Sequence, residues 1–401
     1  MEYKKPNLIK KITHKIYEKS VVFYKNIFCK PDDRLIVFSS EPDFSDNSRV
    51  LFEYMQKNGY ADKYRFVWIV NNPDKFTDTV SKYKNTVFIR KNDEYVYTSK
   101  EALTNLLDAH YYFGTHVRQR RLRKAGSGQT IVNLWHGCGF KDTQHMPWND
   151  AFDFMIVPGE VFIDTKSRFF GCDKSMILPL GYPRYDLFSN RSNKIEAFAD
   201  SFRKNSNSKL IIWMPTFRKT DKNKYPEEKI DYKFQLPVLQ SQEDLLRLDS
   251  ICIENNVVML IKKHQYQKDF NIDTEELKNI IFIDDSTFVE KNIQMYEFLP
   301  KTNALISDYS SVSIDYLLID NPIGFTLDDY ESYKTTRGFV FEEPRDYMPG
   351  AHIYNFDELS AFIADIADGK DVYVSERAEV RKCTNKYDKD FCKRILEKFD
   401  I

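Results

Sequence analysis

The sequence predicts an α/β protein made of two Rossmann-like, doubly wound domains facing one another across a cleft. Three observations carry this expectation. Short, continuous apolar runs rich in Val, Ile and Phe recur along the chain, as parallel strands buried on both faces require. They alternate with stretches of helical spacing, which is the pattern of βαβ units. At 401 residues the chain also exceeds what one core ordinarily supports, so the alternation is expected to run through two domains.

The first element stands apart from that alternation. Leu8, Ile9, Ile12, Ile16 and Tyr17 fall at helical spacing, with Lys4, Lys5, Lys10, Lys11, Lys15 and Lys19 among them and only Glu2 and Glu18 opposing. Residues 1–30 therefore read as a basic amphipathic helix. It either lies on an anionic membrane surface or packs, solvated, against the body of the protein. The lysines interrupt any signal-peptide layout, and no stretch approaches the roughly 20 apolar residues needed to cross a bilayer.

The first domain is expected over 31–195. Strand signals fall at 33–38, 64–70, 86–90, 110–114 and 130–135, with helices at 47–58 and 99–107 and a further strand at 176–180. The polar run Asn205-Ser206-Asn207-Ser208 is a plausible boundary. A second domain, 196–375, repeats the theme with strands at 210–214, 257–261, 280–283 and 304–306 and a helix at 243–254. Residues 218–228 read as a loop, and 376–401 as a C-terminal helix. Two such halves across a cleft are the architecture of GT-B glycosyltransferases.

Composition excludes several classes. The chain is 30% charged, yet its formal net charge is −1, so there is no global nucleic-acid or polyanion signal. The six cysteines are scattered, with no CxxC and no metal-ligand spacing; a reduced, cytoplasmic chain is the simplest reading.

Ligands of doubly wound sheets bind beyond the carboxyl ends of the strands, and five motifs sit there. Trp135-His136-Gly137-Cys138-Gly139-Phe140-Lys141 follows a strand. His136 suits a general base near neutral pH, and its glycines allow close approach to a ligand. Gly181-Tyr182-Pro183-Arg184-Tyr185-Asp186 offers the Arg184 fork to phosphate oxygens, unless Arg184 merely pairs with Asp186 on the surface. Pro215 and Thr216, with Arg218 beyond them, follow the first strand of the second half, and Lys262-Lys263-His264 follows the next. The segment Ser307-Asp308-Tyr309-Ser310-Ser311, with Asp315 beyond, ends a strand and opens a helix at 314–319. It is either a phosphate site at that helix N-terminus or a simple N-cap. Together these groups favour a nucleotide-diphospho donor held mainly by the second half and an acceptor on the first.

From Asp108 to about Gly350 the order and spacing of these motifs resemble the CDP-glycerol glycerophosphotransferases of teichoic acid and capsule synthesis (TagB/TagF-type). The shared elements are Trp-His-Gly with Lys141 following, Gly-Tyr-Pro-Arg-x-Asp, Pro-Thr-Phe-Arg, Lys-x-His and Asp-Tyr-Ser-Ser-x-x-x-Asp. Asn321-Pro322-Ile323 and Asp328-Asp329-Tyr330 through Arg337-Gly338 complete the set. The resemblance implies an enzyme in which His136 deprotonates an acceptor hydroxyl and His264 is essential. Trp135, Gly137, Cys138 and Gly139 would surround His136. Arg184, Pro215, Thr216, Lys262, Lys263, His264, Ser310, Ser311 and Asp315 would line a cytidine-diphosphate site. It further implies a CDP-glycerol or CDP-ribitol donor, CMP as product, and a lipid-linked acceptor at the inner face of a bacterial cell membrane. The sequence departs from the family pattern at Cys138-Gly139, at Gln265 and at Lys262-Lys263, positions that bear on acceptor and donor identity. A divalent cation such as Mg2+ has only Asp308 and Asp315 to turn to, and metal dependence stays open. The rival readings are ribitol-phosphate transfer, a GT-B enzyme moving a sugar from a nucleotide donor, and a non-enzymatic nucleotide- or polyanion-binding protein.

Overall fold

The computed structural model describes residues 4, 7–94, 98–116, 122–123, 126–142, 150–216, 234, 236–262 and 272–401. The chain divides into two compact units, one of residues 1–136, 145–184 and 389–401, the other of 137–144 and 185–388.

In the first unit, β1 (Asp32–Ser39), β2 (Arg65–Val70), β3 (Thr86–Arg90), β4 (Ala109–Gly114), β5 (Thr130–Asn133), β6 (Phe154–Ile156) and β7 (Ile177–Leu178) form one parallel sheet. Their order is β3-β2-β1-β4-β5-β6-β7. The chain starts at the centre, winds to one edge and returns on the other side, so the direction of winding reverses between β1 and β4. Phe38 on β1 is fully buried, stacks on Trp68 of β2 at 5.4 Å and meets Phe52 edge-on at 5.7 Å. Each such side chain contributes on the order of 1.5–3 kcal/mol by leaving water, and rings set edge to face add to that.

The second unit repeats the plan. Its strands are β8 (Lys209–Trp213), β9 (Val257–Lys262), β10 (Ile280–Ile283), β11 (Ala304–Ser307), β12 (Ile323–Thr326) and β13 (Ala351–Ile353). They lie parallel in the order β10-β9-β8-β11-β12-β13, with the reversal between β8 and β11. Ile211, Trp213, Met259 and Ile261 pack with Leu245 and Leu248 of helix Gln242–Glu254. Arg377 is buried against two acids: it donates to both carboxylate oxygens of Asp371, at 2.8 and 2.6 Å, and to Asp320 at 3.2 Å.

Several expectations need adjustment. The Asn205–Ser208 stretch lies inside the second unit, where it forms a turn before β8. Asn205 and Ser208 both donate to the Asn256 side chain at 2.9 Å, so this polarity builds a turn. The chain instead passes between units after Arg184. Helix Phe391–Lys398 belongs to the first unit: Phe113 and Phe154 pack against Phe399 at 6.2 and 5.4 Å, and the Tyr111 hydroxyl donates to its carbonyl at 2.7 Å. The N-terminal helix runs Leu8–Phe28 with no fully buried residue. No helix among the described residues is long and apolar enough to cross a membrane, and all six cysteines are free. The expected loop 218–228 lies outside the described residues.

Candidate functional site

β5 stops at Asn133, two residues earlier than its apolar run suggests, because the backbone turns sharply. Trp135 has a φ of +53°, a left-handed conformation that bulky residues rarely adopt. The turn is held from three sides. Asn133 accepts from the Trp135 amide at 3.0 Å, and the Asn47 side chain donates to the Trp135 carbonyl at 2.9 Å. Arg184 donates to the His136 carbonyl at 3.1 Å.

His136 is thereby fixed beyond the end of β5, half buried. Its ring lies 4.0 Å from that of Trp135 and stacks on His116 at 4.1 Å, with 3° between the planes. Nδ1 is 3.4 Å from the Thr115 carbonyl. Since a carbonyl only accepts, that contact is made by Nδ1–H; in the neutral ring the lone pair is then on Nε2. His116, just beyond β4 at the point where the winding reverses, is held by Thr115 through Oγ1 to Nδ1 at 3.0 Å. Sequence reading passed over His116, although its place after a strand at the switch point was a usable signal.

Arg184 differs from expectation. It is 4% exposed, its Nη1 pairs with Asp46 at 2.9 Å, and its amide donates to Asn47 at 3.2 Å. The guanidinium therefore braces the His136 turn within the first unit, with Asp46 as an acidic partner. Gly181, with φ +79°, is pressed against the Phe391 ring, which would stand 2.2 Å from any Cβ placed there.

In the second unit three of the motifs come together. The segment after His136 lies along the 337–340 stretch: the Asp142 amide donates to the Gly338 carbonyl at 3.0 Å, the Val340 amide donates to the Phe140 carbonyl at 2.9 Å, and Lys141 pairs with Phe339 in an antiparallel bridge. Gly139 rests on the Ser-Ser turn so closely that a Cβ would sit 2.9 Å from the Ser311 nitrogen. Cys138 is fully buried beside it in sequence. Tyr309 is buried, donates to Asp329 at 2.9 Å and packs on Tyr333 at 4.1 Å and Phe339 at 5.1 Å. Arg337, half buried, thus belongs to the loop that Gly139, Lys141 and Tyr309 adjoin.

Pro215 and Thr216 follow β8 and lie beside the residues following β11. Asp308, fully buried, accepts from the Thr216 amide at 3.0 Å and its hydroxyl at 2.7 Å. Ser311 occupies the N-cap position of a five-residue helix, Val312–Tyr316, but makes no side-chain cap, so the simple capping role is not the one found. Asp315 is fully buried and takes hydrogen bonds from the hydroxyls of Tyr185 and Tyr296, one to each oxygen. It anchors these two side chains. Lys262, at the end of β9, pairs with Asp285 at 2.9 Å. Lys263, His264 and Arg218 lie outside the described residues. Among the described residues no three His, Cys, Asp or Glu side chains gather as a metal site, and Asp308 and Asp315 make the hydrogen bonds given above.

The chain is 29% identical over 346 residues to the teichoic acid poly(glycerol phosphate) polymerase of Staphylococcus epidermidis, covering 79% of this chain and 43% of that protein. It is 27% identical over 350 residues to the teichoic acid ribitol-phosphate polymerase TarL of Staphylococcus aureus, covering 81% and 55%. The chain thus spans about half the length of these two relatives. It also matches a Bacillus spizizenii poly(glycerol phosphate) polymerase at 27% identity, over 80% of this chain and 81% of that one. Among solved structures, the wall teichoic acid polymerase TagF superposes with a TM-score of 0.71 at 22% identity, over 98% of this chain and 97% of that chain. A UDP-N-acetylglucosamine 2-epimerase superposes at 0.52 and 11% identity, over 92% and 95%. Both likenesses show the fold alone, the GT-B-like class expected. Residues 22–398, which contain every motif described above, match the CDP-Glycerol:Poly(glycerophosphate) glycerophosphotransferase family, and the chain belongs to that family.

Proposed function

We propose that this chain transfers glycerol phosphate from CDP-glycerol to a hydroxyl of a lipid-linked teichoic acid or capsule polymer. The acceptor oxygen attacks the phosphorus that carries the glycerol, and its proton passes to Nε2 of His136. The bond from that phosphorus to the bridging oxygen breaks, and CMP leaves with the electron pair. Such transfers depend on positioning and on stabilising the charge of the leaving group. Lys262, at the end of β9, and Lys263 and His264, which follow it in sequence, are the groups assigned to that charge. Ser310, Ser311, Pro215 and Thr216, beyond β11 and β8 where the winding reverses, are assigned to the donor.

The observation that carries the reading is the seating of Gly139 on Ser311 beside the 337–340 stretch, which joins three separated family motifs in one unit. Transfer of ribitol phosphate is the second reading, favoured by the match to TarL. The membrane surface is proposed as the working place: the enzyme would be cytoplasmic and attached peripherally to the inner leaflet. In support, helix Leu8–Phe28 turns Leu8, Ile12, Ile16, Phe23 and Ile27 to solvent beside its lysines.

The test is to incubate purified protein and a lipid-linked acceptor with CDP-glycerol, CDP-ribitol or UDP-sugars. CMP release from one CDP-alditol, lost in His136→Ala with donor affinity kept, is expected. Turnover of a UDP-sugar with neither CDP-alditol consumed would overthrow the proposal.

A further inference from the structure

Helix Leu8–Phe28 has two contrasting sides. One packs on the first unit: the Lys25 ammonium meets both oxygens of Asp108 at 2.7 Å, and the Asn26 side chain donates to the Leu122 carbonyl at 3.0 Å. The other carries Leu8, Ile12, Ile16, Phe23 and Ile27, spaced by four or seven residues and so on one face, each 50–71% exposed. The side that packs is mixed, with His14, Tyr17, Val21, Val22 and Lys25 half-buried, while an apolar face stands in solvent beside exposed Lys10, Lys11, Lys15 and Lys19, unlike a helix that simply covers a core.

Along its flank runs a groove of about 1050 Å³, within the first unit. This lies at the upper end of sizes usual for ligand sites, roughly 300–1,000 Å³. Val22, Phe23 and Ile27 line it from the helix, and Phe152, Phe154 and Met176 from the sheet side. Phe23 and Ile27 belong to both the groove and the exposed face, so the two apolar surfaces are continuous. Arg123 also lines the groove and is 2% exposed. Its Nε donates to the Leu107 carbonyl at 2.6 Å, and Nη1 donates to the carbonyls of Lys25 and Cys29 at 2.6 and 2.7 Å. Nη2 has no hydrogen-bond partner, and the Asp108 carboxylate stands 3.9 Å away. A buried donor left unmade is costly, and its acceptor is normally to be found.

We infer that the groove receives an acyl chain of a membrane glycerophospholipid, with the ester carbonyl accepting from Nη2 of Arg123. The outer face of the helix then lies in the same leaflet. This deepens the membrane-surface reading above and rests on it. Charge decides among occupants. The helix carries Lys10, Lys11, Lys15, Lys19 and Lys25 against Glu18 alone, which suits an anionic lipid surface and repels a second copy of itself. Glu18, Asp150 and Asp153 also line the groove, so a phosphate inside would face carboxylates. An uncharged ester would not, and the phosphate stays outside near Lys15.

The test uses the whole protein and phosphatidylglycerol vesicles whose acyl chains bear a diazirine. Sedimentation with the vesicles is expected, with cross-links on Phe152–Phe154 or Ser175–Met176 as well as on the helix. Replacing Ser175, exposed at the groove, by Trp should remove the groove cross-links and leave sedimentation unchanged. Ile12→Glu with Ile16→Glu should lower the vesicle-bound fraction about tenfold. Sedimentation with cross-links confined to the outer helix face refutes the groove occupant and leaves the membrane reading standing. Failure of the unmodified protein to sediment refutes both.

Discussion

His136 is placed by its neighbours' commitments. The left-handed Trp135 aims it, Arg184 and Asn47 pin the surrounding carbonyls, and His116 flattens against its ring. His136→Ala should lower turnover by about 10²–10⁴-fold, the usual worth of a general base, with CDP-glycerol affinity by calorimetry unchanged. His116→Phe keeps the stack and loses the imidazole. If His116 only packs, turnover will hold; a loss of about tenfold or more in kcat at constant KM is expected if it positions the base. Arg184→Met should cost roughly 3 kcal/mol in denaturant unfolding, because Asp46 loses a buried partner. His136 was legible because a histidine between a strand and two glycines is chemically pointed. The bracing by Arg184 was not legible, since Asp46 and Asn47 lie far away in sequence. The anchoring role of Asp315 was hidden for a similar reason. Its phenol partners Tyr185 and Tyr296 carry no local signal.

At the scale of elements, strands central to each sheet were legible to within a residue or two. Runs such as Arg65–Val70 and Val257–Lys262 are buried on both faces and so continuously apolar. The short strands Phe154–Ile156 and Ala351–Ile353 leave too few residues for a pattern to emerge. The packing of Gly139 on Ser311 was invisible for another reason: it is backbone against backbone. Gly139→Ala places its Cβ 2.9 Å from the Ser311 nitrogen, which cannot swing aside. It should therefore lower activity and cost about 1–3 kcal/mol of stability. Gly181→Ala adds strain at φ +79° to the clash with Phe391, so a larger fall in melting temperature is expected than for Gly139→Ala.

Over the whole molecule, the alternation of strand and helix signals gave two doubly wound halves, and the division of the chain between units is what the sequence concealed. Acid should loosen the second unit at Arg377. Hydrogen bonds from that guanidinium hold the Asp371 carboxyl below its ordinary value of 3.8. A carboxylate depressed in the fold lends stability above its unfolded pKa and loses it as pH falls through the folded one. Denaturant midpoints should therefore drop below about pH 4, and Arg377→Met should flatten that drop while lowering stability at pH 7 by roughly 3 kcal/mol. The return of residues 389–401 to the first unit has a temporal corollary. On the ribosome, the half that emerges first must wait for Phe391 and Phe399 before its aromatic interior can close, so the later-made half is free to mature sooner. A nascent chain halted before residue 389 should accordingly offer its early segments to chaperones and proteases while its later ones are already resistant.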